Sequence, residues 1–111
     1  MNLERAKRWH DGDIRQWSLS DWLMAMAGEA GEACNAGKKV RRIEEHIANI
    51  SEDKSRQLSD MGQALDKIAE ELADVVIYCD LVAHRIGANL EEAIKVKFNN
   101  TSSRYGFPER L

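Results

Sequence analysis

Glu29 and Glu32, and Glu71 and Asp74, are the residues of this 111-residue sequence whose types and spacing suit chemistry. Residues three apart on a helix project side by side, about 60° around its axis, so each pair can present two carboxylates to one place. Both pairs sit in apolar stripes. Trp22, Met26, Glu29, Ala33, Ala36 and Val40 follow one another at helical spacing, and Ala64, Ile68, Glu71, Val75, Tyr78 and Val82 repeat that register. If the stripes face each other, four carboxylates meet in a partly desolvated groove. An unpaired carboxylate there costs several kcal/mol or takes up a proton. No basic residue on the stripes supplies the counter-charge, which points to a divalent cation. Ligation by oxygen alone selects a hard ion, Mg²⁺ first and Mn²⁺ second, over Zn²⁺, which favours His or Cys.

Other metal chemistries find less support. No Glu-x-x-His pair of the di-iron bundles occurs, and His10, His46 and His84 are scattered. Asp80 and His84 are four apart, but Asp80 falls about 180° from Glu71 on the wheel and reads as part of a surface pair. Gly28 and Gly31 frame Glu29, and each glycine inside a helix costs about 1 kcal/mol relative to alanine. Small residues there permit a neighbouring helix or a ligand to come close.

The elements that must position these acids are helical. Only Pro108 interrupts the chain, and no β-branched alternation is present. The expected helices cover 2–10, 20–45, 55–86 and 90–99, an all-α bundle in a single domain, 1–111. Asp11-Gly12-Asp13 reads as a turn, 49–53 as a polar connection, and Gly87-Ala88-Asn89 as a stop followed by a fresh cap, with Glu92 completing a capping box. The tail 101–111 reads as irregular.

Composition bounds the rest. Sixteen Lys+Arg against nineteen Asp+Glu give a net charge of −3, without the cationic excess that nucleic acid or an anionic membrane demands. The apolar runs fall far short of the roughly 20 residues that span a bilayer. With no secretory pattern at the N-terminus, the expected compartment is the cytoplasm. Cys34 and Cys79 read as reduced, partly buried packing residues.

Gly28-Glu29-Ala30-Gly31-Glu32-Ala33, followed about 40 residues on by Glu70-Glu71-Leu72-Ala73-Asp74-Val75-Val76-Ile77-Tyr78, resembles the MazG-like nucleoside triphosphate pyrophosphohydrolases of the all-α NTP pyrophosphatase superfamily. The resemblance runs from about Asp21 to Tyr105 and implies an enzyme that hydrolyses a (d)NTP between its α- and β-phosphates, giving (d)NMP and pyrophosphate. It assigns Mg²⁺ to Glu29, Glu32, Glu71 and Asp74, one of the glutamates also orienting the attacking water. Lys97, Asn100, Arg104 and Tyr105 resemble the basic and amide segment after the family's last helix, with Lys95 and Asn99 as alternatives to Lys97 and Asn100. Lys38 is a further candidate for phosphate and Trp17 for the base, while Trp9 and Trp22 compete as core residues.

A second apolar stripe on the third helix, Leu65, Leu72, Val76, Cys79, Ala83 and Ile86, calls for a partner subunit, and the resemblance implies a homodimer or homotetramer. The alternative is a non-catalytic module whose acidic stripes, extended by Glu44-Glu45 and Glu91-Glu92, dock a basic partner.

Overall fold

The structure, a computed structural model, describes residues 1–49 and 54–111. Its elements are α1 (Asn2–Trp9), a 3-10 turn (Ile14–Gln16), α2 (Leu19–Asn49), α3 (Lys54–Ile86) and α4 (Leu90–Tyr105). The fold is all-α: the described residues contain no strand. Beyond Asn49, the expected polar connection lies outside the described residues.

Each start has a local cause. Asp13 accepts a hydrogen bond from the Arg15 amide at 2.8 Å and caps the short turn. Ser18 and Asp21 satisfy one another reciprocally: the Asp21 carboxylate accepts from the Ser18 amide at 3.0 Å, and the Ser18 hydroxyl accepts from the Asp21 amide at 3.1 Å. That capping box starts α2 a residue earlier than the apolar pattern predicts.

The two long helices pack against each other as an antiparallel hairpin, and α1 lies on α3. The core is small and sits at one end: Ala6, Ile14, Trp22 and Leu81, with Leu3, Ile77, Tyr78 and Val82 around them. Asn2 fixes α1 in place, its amide donating to the Ile77 carbonyl and to Asp80, both at 2.9 Å. Asp80 also faces His84 at 3.6 Å, so this pair is the surface contact its spacing suggests. Cys79 is half-buried and its thiol meets the Met26 sulfur at 3.4 Å across the two helices. Cys34, expected to be partly buried, is exposed, because it falls about 120° from the centre of the α2 stripe.

One boundary departs from expectation. α4 continues to Tyr105 where the Thr-Ser-Ser composition suggested a loop from residue 101. Nothing between Asn99 and Tyr105 breaks a helix, and the stop is Gly106, left-handed at φ 71°, whose amide closes onto the Ser102 and Ser103 carbonyls. The tail then folds back: the Asn99 side chain accepts from the Leu111 amide at 2.8 Å. At the other end the Asn89 side chain accepts from the Glu92 amide at 3.0 Å. Asn89→Ala is expected to remove about 1 kcal/mol of stability, read as a fall of several degrees in the melting temperature.

Candidate metal centre

The two apolar stripes face one another across the hairpin, as their register requires. Every member of the α2 stripe and of the α3 stripe is buried or half-buried. This places Glu29 of α2 opposite Glu71 and Asp74 of α3, with one carboxylate oxygen from each lying within 4.8 Å of the others. Glu32 borders the group, close enough to Glu29 and to Glu71 for hydrogen bonding to affect the ionisation of both.

The electrostatics divide the acids. Burial, then the negative charges of Glu32, Asp74 and Glu71, raise the Glu29 pKa above the ordinary glutamate value. Glu71 moves the other way, lowered first by its hydrogen bond to Lys67, whose ammonium lies 2.8 Å from Oε1. Lys67 is raised in turn by Glu71 and then Glu70. It corrects the expectation that no basic residue stands near the acids: four residues before Glu71 is the spacing at which a lysine meets a glutamate on a helix.

Lys67 satisfies only half of Glu71. The residue is 6% exposed, and Oε2 is buried with no hydrogen-bond partner. A carboxylate oxygen without a donor in such a place is costly. A cation held by Oε2 and the carboxylates of Glu29 and Asp74 would relieve it, and the all-oxygen donor set fits Mg²⁺ or Mn²⁺.

The glycines fit an open site. A β-carbon built at Gly28 or Gly31 meets no atom within 4 Å, so neither glycine makes room for a helix of this chain. The other predicted contacts are spread out. Lys38 is exposed and lies about 180° around α2 from Glu29, away from the acids. Trp17, 37% exposed, stands in an aromatic group with ring-centroid distances of 4.8 Å to His10 and 4.7 Å to Trp22. Trp22 is the core tryptophan at 1% exposure, while Trp9 is 70% exposed.

Lys97, Asn100 and Arg104 share one edge of α4, within about 60° of one another. The alternatives Lys95 and Asn99 point elsewhere on the wheel, and the Asn99 side chain is engaged with Leu111. None of the three is brought to the acids in a single chain, because α4 has no packing on α2 or α3 comparable to that within the hairpin.

The family model for the MazG-like family matches residues 38–111. The chain belongs to the MazG-like family. The matched stretch includes Glu71, Asp74 and all of α4, and begins after Glu29 and Glu32, which the geometry joins to the MazG-like part. No curated protein and no solved structure matches the chain.

The Glu29 shift has a consequence for pH. With its pKa raised in the folded state, the native chain holds that proton more tightly than the unfolded one. Stability of the metal-free protein therefore declines from this source as pH rises from the ordinary 4.5 through the raised value. Glu71 contributes oppositely: its stabilisation is present above 4.5 and is lost as pH falls through its lowered value. In melts with chelator, Glu29→Gln is expected to remove the decline and raise the melting temperature at neutral pH. Its Mg²⁺-dependent stabilisation is expected to weaken.

Proposed function

We propose that this chain is a Mg²⁺-dependent nucleoside triphosphate pyrophosphohydrolase, cleaving a (d)NTP to (d)NMP and pyrophosphate. It would serve nucleotide-pool cleansing in the cytoplasm as a homodimer or homotetramer. The observation that carries the reading is the partnerless buried oxygen of Glu71 within the three-acid cluster of a MazG-like chain. Glu29, Glu32, Glu71 and Asp74 would hold the metal. A divalent cation bound there would neutralise the triphosphate and acidify a water.

The chain's own groups divide the remaining work. One of the glutamates would also orient the attacking water. Lys67 holds Glu71 by one oxygen and so fixes the direction of the other. Trp17 offers a ring for a base to stack on, steadied by His10 and Trp22. Lys97, Asn100 and Arg104 are suited to phosphate oxygens.

The homo-oligomer is supported by the hairpin's two unlike sides. Leu58, Leu65, Leu72 and Val76, each more than half exposed, line one flank of α3, and Asp74 lies on the opposite flank. Such an apolar side is suited to association.

The test is pyrophosphate release from a panel of dNTPs and NTPs with Mg²⁺, using Glu32→Ala and Asp74→Ala as controls. Release that both substitutions abolish is the expected result. Release that survives both would place the site elsewhere. No release from any nucleotide, with Mg²⁺ titrations unchanged in the variants, would favour the non-catalytic acidic module.

A further inference from the structure

Lys67 is placed as a bound cation would be. Its ammonium lies 2.8 Å from Glu71 Oε1 and 3.2 Å from Glu70 Oε2, so one positive charge sits between the carboxylates of two successive residues of α3. The spacing explains the contact, because a lysine three and four residues before two glutamates reaches both on one helical face. The other Glu71 oxygen, Oε2, is buried and has no partner. Glu29 and Asp74 each bring a carboxylate oxygen within 4.8 Å of one from Glu71. The Glu71 carboxylate thus has one oxygen held by a cation of its own chain and one held by nothing in it.

That division bears on how many divalent ions the acids can hold. In centres with two ions, the metals stand about 3.5–4 Å apart, and a carboxylate joins them by giving one oxygen to each. Glu71 is placed to join two cations in that manner, and the cation on its Oε1 is Lys67. A divalent ion brought against the same oxygen would be repelled by the ammonium. Charge leads the same way. Glu29, Glu32, Glu71 and Asp74 carry four negative charges when all are ionised, and one divalent ion with Lys67 balances three of them.

We infer that Lys67 takes the place of a second divalent ion at Glu71, so that the acids hold one ion per chain in the absence of nucleotide. Lys67 is then a positioning residue: it fixes Glu71 by Oε1, supplies a permanent positive charge there, and leaves Oε2 for the metal. That role rests on the proposed metal centre, and not on hydrolysis of any nucleotide. The lysine side chain is 58% exposed, so its removal opens Oε1 and the Glu70 carboxylate to ions from solution.

Manganese counts the places, because Mn²⁺ accepts the same oxygen ligands as Mg²⁺ and its paramagnetism shows whether two ions are neighbours. Equilibrium dialysis of the wild type is expected to give one Mn²⁺ per chain, which Asp74→Ala fails to hold. Its electron paramagnetic resonance spectrum should be that of an isolated ion. Lys67→Met and Lys67→Gln are expected to bind two ions with the spectrum of a spin-coupled pair. Lys67→Arg, which keeps the charge, should return the count to one. A purely structural salt bridge would leave both count and spectrum unmoved by these substitutions.

The outcomes separate the two claims. Two coupled ions in the wild type or in Lys67→Arg, or a single ion in both neutral variants, would overturn the role of Lys67 and leave the metal centre standing. No bound Mn²⁺, or a count that Asp74→Ala does not lower, would overturn both.

Discussion

Glu71→Gln is expected to reduce pyrophosphate release at least about 10³-fold, about 4 kcal/mol of transition-state stabilisation, while leaving the helices intact. The substitution keeps the shape of the side chain and replaces a buried charge by a neutral amide. In the metal-free fold that neutralisation gives up the ion pair with Lys67, whose attraction outweighs the cost of burying the charge. The Mg²⁺ response separates a lost ligand from a damaged fold. In the wild type, Mg²⁺ at 100 times its dissociation constant adds about 2.7 kcal/mol of stability, a rise of several degrees in the melting temperature. Glu71→Gln should melt below the wild type in chelator, having lost the Lys67 ion pair, and gain little when Mg²⁺ is added. A variant that retains the full Mg²⁺-induced rise would show that the buried oxygen is not a ligand. Lys67→Met provides the companion measurement: losing a cation that competes for the same carboxylate should strengthen Mg²⁺ binding and destabilise the metal-free protein.

The acids' meeting was legible because helical periodicity is geometry. Two stripes in the same register, each with a glutamate in the middle, have few ways to pack, and the observed hairpin buries both. Lys67 was equally legible by the same arithmetic, yet a reading confined to apolar positions passed over it. Lys38 shows the converse. Its place in the sequence, shortly after the acids, suggested phosphate, but nine residues from Glu29 is half a turn round the helix, and the side chain is exposed.

What remained hidden depends on partners outside the helix concerned. Composition made 101–105 look like a loop, whereas the helix ends only where Gly106 adopts the left-handed conformation. Lys97 and Asn100 were the first choices in the sequence, with Lys95 and Asn99 as alternatives. They separated once α4 acquired an axis and the Asn99 side chain was found holding Leu111. The glycines that frame Glu29 were expected to admit a neighbouring helix or a ligand, and within the chain no neighbour meets them. The greasy side of the hairpin and the stripe of α4 likewise have no cover in one copy. A sequence states that such surfaces exist and leaves open which surface meets which.

Trp22→Ala is expected to be the most damaging single change to the fold. The indole is 1% exposed and donates to the Ile14 carbonyl at 2.8 Å, and its ring lies 5.0 Å from His10 and 6.2 Å from Tyr78, centroid to centroid. It thereby joins α2 to α3, to the 3-10 turn and to the end of α1. Truncation removes that packing and leaves a cavity, together about 3–5 kcal/mol, and strips the Ile14 carbonyl of its donor. Domains of this size hold about 5–15 kcal/mol in total, so the native state of Trp22→Ala should be marginal at room temperature. Two further variants apportion the loss. Trp22→Phe keeps most of the volume and should cost about 1–3 kcal/mol through the abandoned carbonyl. Trp9→Ala, at a site 70% exposed, should stay within about 0.5 kcal/mol of wild type. Denaturant unfolding followed by circular dichroism ranks the three. If Trp22→Ala were no worse than Trp9→Ala, the stability of this chain would reside in its contacts with other copies and not in the small core around Trp22.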